Sequence, residues 1–410
     1  MQVLIVGASH AGIAFADALR RRGFAGGLTI IDRLDGSPLE RPPLSKGFLL
    51  AGDGEDEGFA LRAPNWFAEW RITLLTGRHV AGLDAATKQV TFDDAGTLSY
   101  DRLVLATGAT PRILPETAGM DRVFVLRDPD DARRLRAAMR PARSALVIGG
   151  GYIGLEVAAS LTKAGKAVTV IEAAPRLLAR VASPPVSAFY ANRHRDAGVD
   201  IVTGTSVAEI RHRDGGFVGA ILEDGRLIDA DMLVVGIGVA PNTDLAEQAG
   251  LSTGNGIIID SHMRTSRPDI YAIGDNACET GSSHGLRIES VHNAQEQAER
   301  AAAHIAGDDA PRRQAPWFWS DQYDVKLQSA GILPASDPAL QHVTRAGRRE
   351  GSFSVWSFAG ENLVAVEAIG DPASYVLGKT CLEHARAPRP SQLADAGFDL
   401  KAFVADKSVA

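Results

Sequence analysis

The residues with the clearest chemical meaning are Gly149, Gly150 and Gly151, followed by Gly154 and, one apolar run later, by Glu172. Ala145 to Ile148 reads as a strand that stops at the glycines. A helical pattern starts at Tyr152, and a second strand, Val168 to Ile171, ends on Glu172. Strand, glycine turn, helix, strand and acid in that order suit a dinucleotide. Gly149 makes the tight turn, Gly151 admits a pyrophosphate to the backbone, and Gly154 lets helix pack on strand. The helix N-terminus, at Tyr152 and Ile153, offers N–H groups and partial positive charge. Glu172 stands where a carboxylate accepts both hydroxyls of an adenosine ribose. The pattern recurs at the start of the chain. Gln2 to Val6 is a strand, Gly7-Ala8-Ser9-His10-Ala11-Gly12 a turn, Ile13 to Arg22 a helix, and Leu28 to Ile31 a strand closing on Asp32. Ser9 replaces the middle glycine and narrows the approach to phosphate. Two such sites in one chain imply two cofactors held for exchange with each other.

Two βαβ units must carry these sites, and 410 residues suit two or three domains. Leu103 to Gly108 reads as a strand ending in a small-residue turn. Asp231 to Val239 places glycines, Gly238 among them, where a backbone can approach a nucleotide. Ile270 to Asp275 is a strand ending on an acid after glycine, suited to a polyol or ribityl chain. A helix from Val291 to Ile305 can turn its N-terminus, with its partial positive charge, to a bound cofactor. The proline-rich stretch between Ile31 and Phe48 reads as irregular, with Lys46 just beyond Pro42 and Pro43. Trp66, Phe67 and Trp70 have helical spacing and read as core. Asp128 to Asp131 opens a helix carrying Arg133, Arg134, Arg136 and Arg140, while Pro184-Pro185 breaks the chain before another. Aromatics follow Pro316, and a separate C-terminal α+β domain is expected from a boundary near Ser320.

Composition excludes several classes. A net charge of −7 argues against nucleic-acid binding. The only cysteines, Cys278 and Cys381, form no CxxC pair, so neither a redox dithiol nor a metal site is expected. No apolar run approaches the ~20 residues that cross a bilayer, and Met1 leads almost directly into a strand. The expectation is a soluble cytoplasmic protein with no membrane partner.

The chain resembles the NADH-dependent ferredoxin reductases of bacterial oxygenase and cytochrome P450 systems, within the glutathione-reductase-like flavoproteins. The likeness rests on GASHAG (7–12), ERPPLSK (40–46), ATGATPR (106–112), GGGYIGLE (149–156), VGIGVAPN (235–242), YAIGD (271–275), ESVHNAQEQA (289–298) and PWFWSDQYDVKLQ (316–328). It implies an α/β fold with two Rossmann-like dinucleotide-binding domains plus a C-terminal α+β domain. FAD would be bound by residues 1–112 and 242–320, NAD by 113–241, and 321–410 would form the last domain. FAD contacts are implied for Gly7, Ala11, Gly12, Lys46, Val80, Arg127, Asp275, Val291 and Trp319, joined by Ser9 and Asp32 from the first turn. NADH contacts are implied for Gly149, Gly151, Gly154, Glu156 and Glu172, with Tyr152, Ile153 and Gly238 counted beside them. Two departures from the family pattern are Ser9 and the DRLDG that follows Ile31.

Without a dithiol, electrons from NADH must leave the flavin directly, for a [2Fe–2S] ferredoxin on this resemblance. Lys46 is expected beside the flavin N5 edge, paired with Glu156, because a charge there is costly to bury alone. Ferredoxin docking would fall on Arg133, Arg134, Arg136 and Arg140 or, preferably, on Arg300, Arg312 and Arg313. The assembly would be a monomer or weak homodimer. Two other readings remain: a reductase of a small molecule such as monodehydroascorbate or a quinone, and a redox-sensing flavoprotein of the apoptosis-inducing-factor type.

Overall fold

In the computed structural model, residues 1–52, 54–280, 286–334 and 339–406 are described. The chain divides into two compact units. Met1–Pro43, Ala51–Thr110 and Val239–Arg313 form the first; Leu44–Leu50, Pro111–Gly238 and Gln314–Ala410 form the second.

The first unit is built on a five-stranded parallel sheet in the order Ile270–Ala272, Arg102–Leu105, Gln2–Val6, Gly27–Ile31, Thr73–Leu75. Its central strands carry unbroken buried apolar runs, Val3 to Val6 and Leu103 to Leu105, because both faces are covered. Helix His10–Arg21 packs with helix Val291–Ala306, whose Ala294, Ala298, Ala301 and Ala302 keep the contact close. A three-stranded antiparallel sheet, Val80–Asp84, Gln89–Phe92 and Thr97–Ser99, adjoins them in sequence. Phe67 is buried, and Trp66 and Trp70 are partly buried against the same core.

The second unit repeats this plan. Its parallel sheet runs Val123–Phe124, Met232–Val235, Ser144–Ile148, Ala167–Glu172, Asp200–Thr203. The glycine turn again follows the central strand, and a three-stranded antiparallel sheet of Val207–Arg213, Gly216–Leu222 and Leu227–Asp229 again precedes the strand beside it. Helix Pro129–Met139 starts with a reciprocal capping box between Asp128 and Asp131. The chain ends in a five-stranded antiparallel sheet, ordered Trp317–Gln322, Val325–Gly331, Asn362–Ile369, Phe353–Ala359, Leu340–Ala346, with helix Pro372–Glu383 packed on it. Leu327, Val355 and Ile369 of this sheet share a core with Val147, Leu155 and Val170.

Three local readings change. The stretch before Phe48 is not wholly irregular: Pro42–Ser45 is a 3-10 turn and Gly47–Leu50 a short helix. Pro184 and Pro185 open helix Pro184–Asp196 from within, since proline is tolerated in a first turn, whose N–H groups have no helical partner. Strand Trp317–Gln322 runs straight through Ser320.

Candidate active site

The two glycine turns are near copies in geometry. Gly7 and Gly149 have φ of +112° and +109°, and a Cβ would lie 2.2 Å from the Ala106 carbonyl oxygen at the first and 2.4 Å from that of Gly236 at the second. Gly12 and Gly154 lie so close to the strand end that a Cβ would come within 2.0 Å of the Gly7 and Gly149 carbonyl oxygens. A Cβ at Gly151 would meet nothing within 4 Å, so the space before this turn is open. Neither following helix has a side chain capping its first turn, whereas Asp128 and Ser290 cap theirs. Open space, uncapped N–H groups and partial positive charge fit a pyrophosphate. At the first turn, Ser9 occupies the position equivalent to Gly151, and its hydroxyl accepts from Arg41 Nε at 3.3 Å.

The two acids are held identically. Glu172 accepts from the Gly150 N–H at 2.7 Å and the Ala174 N–H at 2.8 Å. Asp32 accepts from the Ala8 and Leu34 N–H groups, both at 3.2 Å. Backbone donors therefore fix each carboxylate at its turn, with lone pairs left over for ribose hydroxyls. This donor set fits two dinucleotides.

Lys46 and Glu156 form the second feature. Glu156 lies in helix Tyr152–Lys163 and is 3 % exposed. Its Oε2 accepts from Lys46 Nζ and from Ser45 Oγ, each at 2.5 Å, while Oε1 accepts from Ser320 Oγ at 2.7 Å. One helical turn on, Ser160 Oγ donates to the Ser45 carbonyl at 2.6 Å. Arg136 donates to the Phe48 carbonyl at 3.3 Å and lies over its ring, and Leu49 enters the core. Leu44–Leu50 is thus pinned to the second unit. A buried ion pair is tolerable only when the remaining lone pairs are satisfied, and the two serines do this for Glu156. Composition gave no hint of Ser45, Ser160 or Ser320.

The other expected residues fall in both units. Gly7, Ser9, Ala11, Gly12, Asp32, Val80, Asp275 and Val291 belong to the first; Lys46, Arg127, Trp319 and all the expected NAD residues belong to the second. Val80 is buried at a strand start. The turn at Asp275 is pinned by Gln297, which accepts from the Gly274 N–H at 2.7 Å, and by Arg287, which donates to the Asp275 carbonyl at 3.0 Å. Val291 begins its helix, and Trp319 lies in the strand beside Trp317, their rings 5.5 Å apart. The Arg127 N–H donates to Asp131 at 2.9 Å. Gly238 has φ +100°, and Ile153 is exposed in the first helical turn. Among the docking arginines, Arg136 and Arg300 are buried. Arg300 donates to the Ser261 and Pro311 carbonyls at 2.9 Å, so neither belongs to a docking surface. Arg133 and Arg134 pair with Asp130 and Asp131, and Arg313 with Glu279.

Both cysteines are buried, which pushes the Cys278 thiol up and that of Cys381 to about 11. That is the reverse of a reactive thiolate. Among the described residues no His, Cys, Asp or Glu cluster could hold a metal, and no helix is long and apolar enough to cross a membrane.

Comparison with known proteins bears on the whole chain. Residues 1–298 match the pyridine nucleotide-disulphide oxidoreductase family and 317–404 the reductase C-terminal family. Rhodocoxin reductase of Rhodococcus erythropolis is 40% identical over 99% of this chain and 95% of its own. The crystal structure of the ferredoxin reductase for the CYP199A2 system from Rhodopseudomonas palustris superposes with a TM-score of 0.94 at 38% identity, over 98% of this chain and 100% of that one. The reductase of the covalent putidaredoxin reductase–putidaredoxin complex does so at 0.93 and 39%, over 98% of each. Twin nucleotide turns, a carboxylate at each and a terminal sheet continuous with the second core thus place the chain in the pyridine nucleotide-disulphide oxidoreductase family, among its putidaredoxin-reductase-like ferredoxin reductases.

Proposed function

We propose that this protein is an FAD-dependent reductase that oxidises NADH and delivers the electrons singly to a [2Fe–2S] ferredoxin serving an oxygenase or cytochrome P450. The balance is one NADH and two oxidised ferredoxins giving NAD⁺, two reduced ferredoxins and one proton. The observation that carries the reading is the pair of nucleotide turns in a chain whose two thiols are both buried. No exchange through a dithiol is open to it, and the relatives with which it aligns end to end include ferredoxin reductases.

Bound FAD supplies hydride acceptance and single-electron release. The chain supplies binding and positioning. Residues 1–112 and 242–316 are assigned to FAD and 113–241 to NAD, with the terminal domain starting at strand Trp317–Gln322 rather than at 321, because that strand belongs to the terminal sheet. For FAD the residues are Gly7, Ser9, Ala11, Gly12, Asp32, Lys46, Val80, Arg127, Asp275, Val291 and Trp319. For NADH they are Gly149, Gly151, Tyr152, Ile153, Gly154, Glu156, Glu172 and Gly238. Glu172 favours NADH because its charge opposes a 2′-phosphate. Lys46, held by Glu156, would supply positive charge to the bound flavin, whose reduction adds negative charge. The setting is cytoplasmic and the assembly a monomer or weak homodimer.

Reduction of cytochrome c by NADH, measured with and without a [2Fe–2S] ferredoxin, tests the reading. The ferredoxin should raise turnover severalfold. Fast reduction of a quinone with no response to any ferredoxin would overturn it.

A further inference from the structure

We propose that Ser320, Gln322, His194 and Tyr323 form a one-directional chain of hydrogen bonds that positions Glu156, and through it Lys46, for flavin reduction. The inference rests on the reading of Lys46 and Glu156 given above. All of these residues lie in the second unit.

The direction of the chain follows from its inner end. As the carboxylate of an ion pair, Glu156 can only accept, so Ser320 must give its single hydroxyl proton to Oε1, at 2.7 Å. The Ser320 oxygen then has only lone pairs to offer to Gln322, 3.1 Å away, which must turn its NH2 towards it. The Gln322 carbonyl oxygen consequently faces His194 Nε2 at 2.8 Å, and that nitrogen must carry the proton. Nδ1 of a neutral ring is left as an acceptor, and Tyr323 O–H, 3.0 Å away, donates to it. Every dipole in the series points its positive end towards Glu156.

The environment favours this single arrangement. Ser320, Gln322 and His194 are at most 1 % exposed, so water does not compete for their bonds. Burial, helped by the charge of Arg193, lowers the His194 pKa to about 4 and keeps the ring neutral. The outer end is anchored as well. Arg193 lies 4.4 Å from the Tyr323 ring centroid and pairs with Asp324 at 2.8 Å, while Lys163 donates to the Tyr323 carbonyl at 2.9 Å. Lys163 and Glu156 share helix Tyr152–Lys163, so both ends of the chain are tied to it. An amide cannot relay protons readily, which makes this a positioning device. Ser320, Gln322, His194 and Tyr323 are positioning residues.

Two readouts test it. Ring ¹⁵N NMR of His194 should show a neutral imidazole protonated at Nε2 from pH 5 to 8. A ring protonated at Nδ1, or charged at pH 7, would overturn the chain whatever the activity. Stopped-flow reduction of the holoenzyme by NADH should show His194→Leu lowering the limiting rate about tenfold without changing the Kd for NADH, and His194→Gln, which keeps an N–H for Gln322, restoring most of it. Tyr323→Phe, a milder change at the outer end, should give a smaller loss of the same kind and keeps the test open if His194→Leu does not fold. Wild-type limiting rates in His194→Leu, or in Tyr323→Phe should His194→Leu fail to fold, with Lys46→Ala slow, would sink the positioning role alone. Wild-type rates in Lys46→Ala and Glu156→Ala would sink the parent reading instead.

Discussion

Glu367 offers a quantitative test of how dry the second unit is. It lies 1 % exposed in strand Asn362–Ile369, and its two oxygens share one donor, the Ser183 N–H, at 3.1 Å each. Burial lifts its pKa from 4.5 to about 7, against the opposing pull of the Ser183 bonds and the charge of Arg176. The sign follows from linkage. Below pH 4.5 the carboxyl is protonated in both folded and unfolded chains and costs nothing. Between 4.5 and 7 the unfolded chain loses the proton while the folded one keeps it, so stability falls with rising pH; above 7 the loss is complete. At ~1.4 kcal/mol per pH unit, the fold should lose roughly 2–3 kcal/mol between pH 5 and pH 8 on account of this group. Glu367→Gln removes the titration but keeps the acceptor for Ser183. Its stability relative to wild type should therefore rise by that amount over the same interval, a relative gain of roughly 2–4 °C in Tm for a chain of this length. Comparison with the variant matters because His194, held neutral by burial, destabilises the fold in the opposite direction as pH falls through 6.5. Both proteins carry that term, and it cancels, as does any constant cost of the buried amide. The assay is calorimetry of both holoproteins at pH 5 and pH 8. A Tm difference that is the same at both values would mean that water reaches Glu367 and that burial does not govern it.

Other expectations concern the cofactors. The purified protein should be yellow, and heating should release FAD into the supernatant; FMN, or a colourless protein that no flavin restores, counts against the paired turns. NADH should give a higher kcat/KM than NADPH, and Glu172→Ala should narrow the gap mainly by weakening NADH about 10–100-fold, as expected for lost hydrogen bonds to a charged acceptor. Equal values for the two nucleotides in the wild type would remove Glu172 from its assigned role. Lys46→Ala and Glu156→Ala should each slow flavin reduction with FAD still bound, and the double variant should fall short of their sum by about 1–3 kcal/mol. Strict additivity would show that the 2.5 Å pair does not act as one unit.

What the sequence made legible follows the range of the forces involved. The two turns could be read because their constraints are local: the φ of +109° at Gly149 and the close approach at Gly154 restrict residue type within six positions. The acids at Asp32 and Glu172 were legible for the same reason, each one strand beyond its turn. The Lys46–Glu156 pair came from motif resemblance, and its remaining partners stayed hidden because serine is common and Ser320 lies 164 positions from Glu156. Charge misled where guanidinium groups were buried: Arg136 and Arg300 satisfy backbone carbonyls, a use that residue type does not reveal. The prolines at 184 and 185 misled because position within the first turn, not presence, decides what proline does.

Helix Tyr152–Lys163 connects the second glycine turn, the Lys46–Glu156 pair and the terminal sheet. Its first turn, open and uncapped after Gly151, fits the nucleotide phosphates. Its second carries Glu156, and Ser160 one turn further holds the Ser45 carbonyl, so the helix fixes the segment that bears Lys46. Its last residue, Lys163, reaches the Tyr323 turn of the terminal sheet. A shift of this helix on nucleotide binding would therefore move Glu156 and the outer hydrogen-bond chain with it, since both are anchored to its side chains. The terminal sheet thereby contributes to the candidate site through Ser320 and Gln322, and substitutions there should affect reduction by NADH even where they leave the nucleotide turn intact.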